Sequence, residues 1–477
     1  MRAVRRVPAL LLAAALAMAV PAQPALAQQP ETKTAGAQPP ALPPGTPVPS
    51  GADPDLAYAL KTACIRGHKD NIDIKNRPWG QIRLQFDELH KFATGKGVPV
   101  AVIDTGVSRH PFLGDRLRGV GDYVKKEHNG LEDCDGHGTQ VAGIIAAAPP
   151  AGSDIGFTGI APGAQILSIR QSSANYTGER PPTTEGGRGE EVAAGNLTTL
   201  AQAVVLAANS GAKVVNMSVN RCRPASNYEI DSGELALQAA VKYAAEQKDV
   251  VLITSAGNTG ENNCPDSKNG FDPNNPTHIV TPPWFAGHVL SVAAMDRNGD
   301  PAPFTVQGPW VGVSAPGTDI ISLDPSGDGL ANLHIKSDGS KDTIKGTSFA
   351  APYVAGLAAL IRERFPNLNA RQVIDRIKLT AAHPAAPGGH DNLVGFGMIN
   401  PIGALTAMIP AEQGVEPEES RSVRMTMPPA VPKDLTPMTV ALIGAGGGVL
   451  LLLITLFVVH TIRRNRPETR TEPRGQA

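Results

Sequence analysis

Three short segments, far apart in the chain, hold residue types that work together in nucleophilic catalysis. They are a carboxylate in Ile103-Asp104-Thr105-Gly106, an imidazole in Asp135-Gly136-His137-Gly138-Thr139, and a hydroxyl in Gly346-Thr347-Ser348-Phe349-Ala350-Ala351-Pro352. Each alone has an ordinary structural explanation. Asp-Thr-Gly after an apolar run is common turn chemistry, a single histidine is usually a solvated or core residue, and a serine opening an apolar helix is a familiar N-cap. The glycines on both sides of His137 leave room for another backbone to approach the ring. The apolar run after Ser348 puts its Oγ at a helix N-terminus, where negative charge is favoured. Together the three side chains can supply a nucleophile, a general base and a group that orients the base.

Such a set works only if the fold delivers all three to one place. The apolar runs 98–103, 165–169, 213–219, 250–253 and 289–294 read as strands buried on both faces. Helical patterns over 140–148, 197–209 and 235–247 separate several of them. Parallel strands with right-handed helical crossovers are the economical solution, giving an α/β fold with helices on both faces of a mainly parallel sheet. Chemistry in such a sheet collects at the carboxyl ends of the strands, and Asp104 lies at one such end. The segment 171–195, rich in Gly, Glu, Ser and Thr, reads as a long surface loop.

The composition divides the chain around this core. Arg2, Arg5 and Arg6 precede an apolar run and an A-x-A site at Ala25 and Ala27, predicting a signal peptide over residues 1–27; a retained anchor is the alternative. Residues 28–57 are Pro-rich, with too few apolar side chains for a core, and predict an extended leader. Residues 58–410 form the globular domain, and 411–437 return to Pro and Glu as a spacer. A transmembrane helix is expected over 438–462, followed by Arg463, Arg464 and Arg466 in a short tail, 463–477. The positive-inside rule leaves that tail in the cytoplasm and the body outside, attached to the bilayer by one span. Gly444 and Gly448 form a G-x-x-x-G in the span, which reads equally as helix-packing surface or small-residue filler. The 43 Lys and Arg balance 44 Asp and Glu, so no basic field invites nucleic acid.

The chain order Asp, His, Ser and the wording of the motifs resemble the subtilase family, through "IDTG", "GHGTQVAGIIA" and "GTSFAAPYVAG". The resemblance implies a subtilisin-like fold and a serine endopeptidase that cleaves protein or peptide substrates with Asp104, His137 and Ser348. It also assigns Asn258, in Ser255-Ala256-Gly257-Asn258, as the side-chain donor of an oxyanion hole. By the same likeness Ser218, Val219 and Asn220, with Ser255, Ala256 and Gly257, flank the substrate backbone. Secreted subtilisins commonly have glycine where this chain has Asn220, which leaves the shape of the pocket open.

Four cysteines in an extracytoplasmic chain suggest two disulfides with three possible pairings. Cys222 and Cys264 follow strands expected to be neighbours and are the preferred pair, leaving Cys64 with Cys134. No metal or cofactor is expected: Cys134 and His137 do not complete a zinc site, and the subtilase motif accounts for the histidine. Further segments, "CDGHGT", "ILSIRQSS", "NMSVNRC" and "GPWVGVSAPGT", resemble the mycosins, membrane-anchored subtilases of type VII secretion. That likeness implies limited processing of secreted proteins and a supporting role in the secretion membrane complex. The alternative is a surface-tethered degradative subtilase with no dedicated secretion partner.

Overall fold

Seven parallel strands make the central sheet of the computed structural model, which describes residues 38–182, 188–225, 229–261, 263–265, 272, 274–336, 338–414 and 435–465. In chain order they are β1 (Pro99–Asp104), β2 (Leu117–Asp122), β3 (Gln165–Arg170), β4 (Val214–Met217), β5 (Val251–Ser255), β6 (Val289–Met295) and β7 (Val311–Pro316). Across the sheet they run β7-β6-β5-β4-β1-β3-β2. β1 lies between β3 and β4, with Val100 opposite both Ile166 and Val214. All five strands read from the sequence are present within a few residues of their expected limits.

Alternation along each strand divides the interior in two. Val100 and Val102 of β1 face one core, with Val251 and Ile253 of β5. Ala101 and Ile103 face the other, with Val215, Met217 and Leu252. The first core is closed by α1 (His137–Ala146) and α4 (Thr347–Arg364), the second by α2 (Leu197–Asn209) and α3 (Ser232–Lys242). Helix α2 starts on a capping box, in which the Asn196 side chain accepts from Thr198 and Thr199 N–H, and α3 starts on one made by Asp231 and Glu234. The pattern expected to run to Gln247 ends as helix α3 at Lys242 and continues as a π-turn over Tyr243–Gln247. A further helix, α5 (Ala370–Thr380), follows α4.

One expectation is revised. Residues 171–195 are not simply a loop: Ser173–Arg180 and Glu190–Ala194 pair antiparallel, and Ala59–Leu60 of the N-terminal segment adds a third strand to the hairpin. Polar alternation hid this element, because only a few of its side chains, Asn175 and Tyr176 among them, are buried. The Pro-rich segment before residue 57 lies along the domain. Backbone oxygens of the Pro-rich segment accept hydrogen bonds from the body: Pro40 from Gln238 Nε2 at 2.8 Å, Ser50 from Gln202 Nε2 at 2.9 Å and Gly51 from the Tyr123 hydroxyl at 2.9 Å. A segment without its own core is thus held through its main chain, as its prolines leave the carbonyls free. It belongs to one compact unit ending at Val415. The expected signal peptide, most of the spacer and most of the tail lie outside the described residues.

The second unit holds α6 (Thr436–Arg464), a helix of 29 residues long and apolar enough to cross a membrane. At about 1.5 Å per residue it exceeds a hydrocarbon core of about 30 Å.

Candidate active site

Asp104 ends β1, His137 begins α1 and Ser348 occupies the first turn of α4, so strand and helix ends converge from three places in the chain. The Nδ1 atom of His137 lies 2.7 Å from Asp104 Oδ1, and Nε2 lies 2.8 Å from Ser348 Oγ. A hydrogen bond from Nδ1–H to the carboxylate leaves Nε2 to accept the serine proton. Asp104 is fully buried and its Oδ1 also accepts from Thr105 N–H at 2.8 Å. The imidazole keeps about 25% exposure, and its centroid lies 4.8 Å from that of Phe349.

Close contact between elements fixes this geometry. A Cβ on Gly138 would collide with the Gly106 carbonyl, so the first turn of α1 can press against the end of β1 only because that residue is glycine. Asp133, which the sequence reading overlooked, joins the same two elements. Its Oδ1 accepts from Thr105 Oγ1 at 2.8 Å and from Gly136 N–H at 2.7 Å. Its Oδ2 accepts from the N–H and hydroxyl of Thr139, at 2.8 and 2.6 Å. Burial pushes the Asp133 carboxyl up to about 7, against the pull of these donors. Burial also draws the His137 pKa down, but the charge and hydrogen bond of Asp104 more than reverse this, with Asp133 and Asp135 adding to the rise, so His137 lies above its ordinary value. His334, close enough to sense the His137 charge, is driven down to about 4, mainly by burial, and accordingly stays neutral near pH 7.

Asn258 stands beside the serine with its orientation set by donors. Its Oδ1 accepts from Thr347 N–H and Thr347 Oγ1, both at 3.0 Å, which turns Nδ2 away as the donor. Gly346 has φ of 151°, and a Cβ there would lie 3.0 Å from Ser348 Oγ and 3.2 Å from Asn258 Nδ2. A side chain at 346 would therefore fill the space between nucleophile and amide. The Ser348 N–H, in the first turn of α4, lacks a helical partner and is a second donor available to an anionic oxygen. Thr347 was not singled out from the sequence; its neighbours in "GTS" were the only hint.

The flanking residues divide into two groups. Ser218, Val219 and Asn220 line the cleft with Asn258 and Ser348. The Ser218 hydroxyl is committed beneath Ser348, donating to the Ser348 carbonyl at 2.8 Å. Ser255, Ala256 and Gly257 are buried. Asn220 Nδ2 reaches Ser255 Oγ at 3.1 Å, linking the two segments, and Gly257 N–H donates to Thr347 Oγ1 at 3.1 Å. The disulfides join Cys64 to Cys134 and Cys222 to Cys264, the preferred pairing of the three. Cys64–Cys134 fastens the N-terminal segment next to Asp133 and Asp135.

An aligned carboxylate, imidazole and hydroxyl beside two N–H donors, at the carboxyl edge of a parallel sheet, is an arrangement able to perform serine hydrolase chemistry. Residues 95–397 match the Subtilase family of peptidases, and the chain belongs to that family of serine endopeptidases. Within it the chain is of the mycosin type. It is 41% identical to Mycosin-1 of Mycobacterium tuberculosis over 419 residues, covering 86% of this chain and 91% of the relative. The crystal structure of MycP1 from the ESX-1 type VII secretion system superposes with a TM-score of 0.70 at 38% identity, over 80% of this chain and 99% of that one. A chain in the structure of an intact ESX-5 inner membrane complex gives a TM-score of 0.72 at 39% identity, covering 89% of this chain and 100% of that one.

Proposed function

We propose that this chain cleaves peptide bonds through Asp104, His137 and Ser348, as a membrane-anchored processing protease of a type VII secretion complex. The observation that carries the chemistry is the unbroken pair of hydrogen bonds, 2.7 and 2.8 Å, from Asp104 through His137 to Ser348. As Ser348 Oγ bonds to the substrate carbonyl carbon, Nε2 takes the hydroxyl proton, and Asp104 holds the tautomer and stabilises the imidazolium. The oxyanion is met by Asn258 Nδ2–H and the Ser348 N–H. His137 returns the proton to the leaving amine, and a water molecule then repeats the sequence to release the acyl group.

The relatives support a partner. A similar chain is part of the ESX-5 inner membrane complex, which supports placing this one in a secretion membrane complex, with α6 as its anchor. The catalytic unit faces outward and the residues after Arg466 face the cytoplasm, on the charge asymmetry around the span. Its substrates are secreted proteins cut at few sites. Mild detergent extraction tests the partner: co-purifying secretion components support the assignment, whereas a solitary and broadly active enzyme supports the degradative alternative. Protease added to spheroplasts tests the orientation: loss of a tag placed at Ala477 would reverse it.

A further inference from the structure

Asn258 Nδ2, assigned above as an oxyanion donor, is not idle in this structure: it donates to Glu261 Oε2 at 2.8 Å. Because Thr347 fixes Oδ1, the amide cannot satisfy Glu261 by turning over. The carboxylate therefore sits against the N–H group that a developing oxyanion needs. Glu261 is exposed and lines the cleft, with its backbone held by a turn. Its N–H faces the Asn258 carbonyl at 3.4 Å and its carbonyl accepts from Cys264 N–H at 2.7 Å, while Cys264 is bonded to Cys222. These two backbone hydrogen bonds hold the Glu261 main chain, while its side chain is exposed.

From this we infer that Glu261 is a resting-state brake on the oxyanion hole, acting through Asn258. A full negative charge on the Asn258 amide competes with the tetrahedral intermediate for the same donor. Even when the two share the amide's two hydrogens, like charges face each other at the point where charge must build. Rotation of the exposed Glu261 side chain into solvent releases the donor, so substrate entry and donor release are coupled. The inference rests on the proposed roles of Ser348 and Asn258.

The test needs no knowledge of the natural substrate. A fluorophosphonate reacts when Ser348 Oγ bonds to phosphorus, fluoride departs and His137 takes the serine proton, while the phosphoryl oxygen enters the oxyanion hole. The rate of labelling is read by intact mass on the full chain in detergent. Glu261→Gln and Glu261→Ala should each label about tenfold faster than wild type, with unchanged thermal midpoints because the side chain is exposed. That gain should vanish when Asn258→Ala is added. A merely structural role for Glu261 would instead slow labelling in both variants. Equal or slower labelling of Glu261→Gln, or a gain that survives Asn258→Ala, overturns the inference. Persistent labelling of Ser348→Ala would instead mean that the nucleophile is misassigned, an outcome separate from the first.

Discussion

At the scale of single residues the chemistry depends on which atoms donate and which accept. His137 must be neutral to take the serine proton, and its pKa lies above the ordinary 6.5 because Asp104, aided by Asp133 and Asp135, outweighs burial. The sign is direct: a raised pKa keeps the imidazole protonated to higher pH. The acid limb of kcat/KM should therefore have its midpoint above pH 6.5, and a midpoint at or below that value would contradict the electrostatic picture. Asn258→Ala should lower kcat by a hundredfold or more, the usual loss for one oxyanion donor of about 2.7–4 kcal/mol, with little change in KM. Thr347→Val removes one of the two donors that orient Asn258 while leaving the backbone N–H in place. It should reduce kcat by roughly tenfold, a fraction of the Asn258 loss, and steady-state kinetics on one substrate compares the two.

At the scale of elements, what was legible in the sequence and what was not have separate causes. The five strands read from the sequence announce themselves because each is buried on both faces, as the run Val98 to Ile103 shows, whereas Leu117–Asp122 is partly exposed and, like Val311–Pro316, was not read. Asp104, His137 and Ser348 were equally visible, since each sits at an element boundary inside a distinctive motif. The hairpin over 173–194 was hidden because its partner strand, Ala59–Leu60, lies more than a hundred residues away and few of its side chains reach the core. Asp133 and Thr347 were hidden for a related reason: the tertiary fold brings Thr105 to the first and Asn258 to the second, although Asp133 also has the local partners Gly136 and Thr139. The spacing from Asn258 to Glu261 is compatible with a turn, yet nothing local says that the two side chains meet. The Cys64–Cys134 bridge, with a sequence separation of 70, holds the N-terminal segment beside the loop that carries His137. Replacing both cysteines by serine should cost about 2–4 kcal/mol of stability in urea unfolding, and an unchanged midpoint would show that the bridge constrains little.

At the scale of the whole molecule, two units divide the work. The first holds the sheet, the cleft and the N-terminal segment, and the second holds the apolar helix. Deleting residues from Glu416 onward should release a soluble, folded chain with fluorophosphonate reactivity equal to that of the full chain, because every residue of the site lies in the first unit. Aggregation or loss of reactivity would show that the second unit supports the fold of the first. The full chain is needed for the proposed task, which is cutting a few secreted proteins at the membrane that exports them. The most direct test compares the secreted proteins of cells carrying wild type with those of cells carrying Ser348→Ala, a substitution that removes one oxygen at a helix start and leaves the fold and anchor intact. The account predicts that specific secreted proteins persist in a longer, uncut form in the Ser348→Ala cells, while the variant is present in the membrane at the wild-type level. Identical processing in the two strains would contradict it.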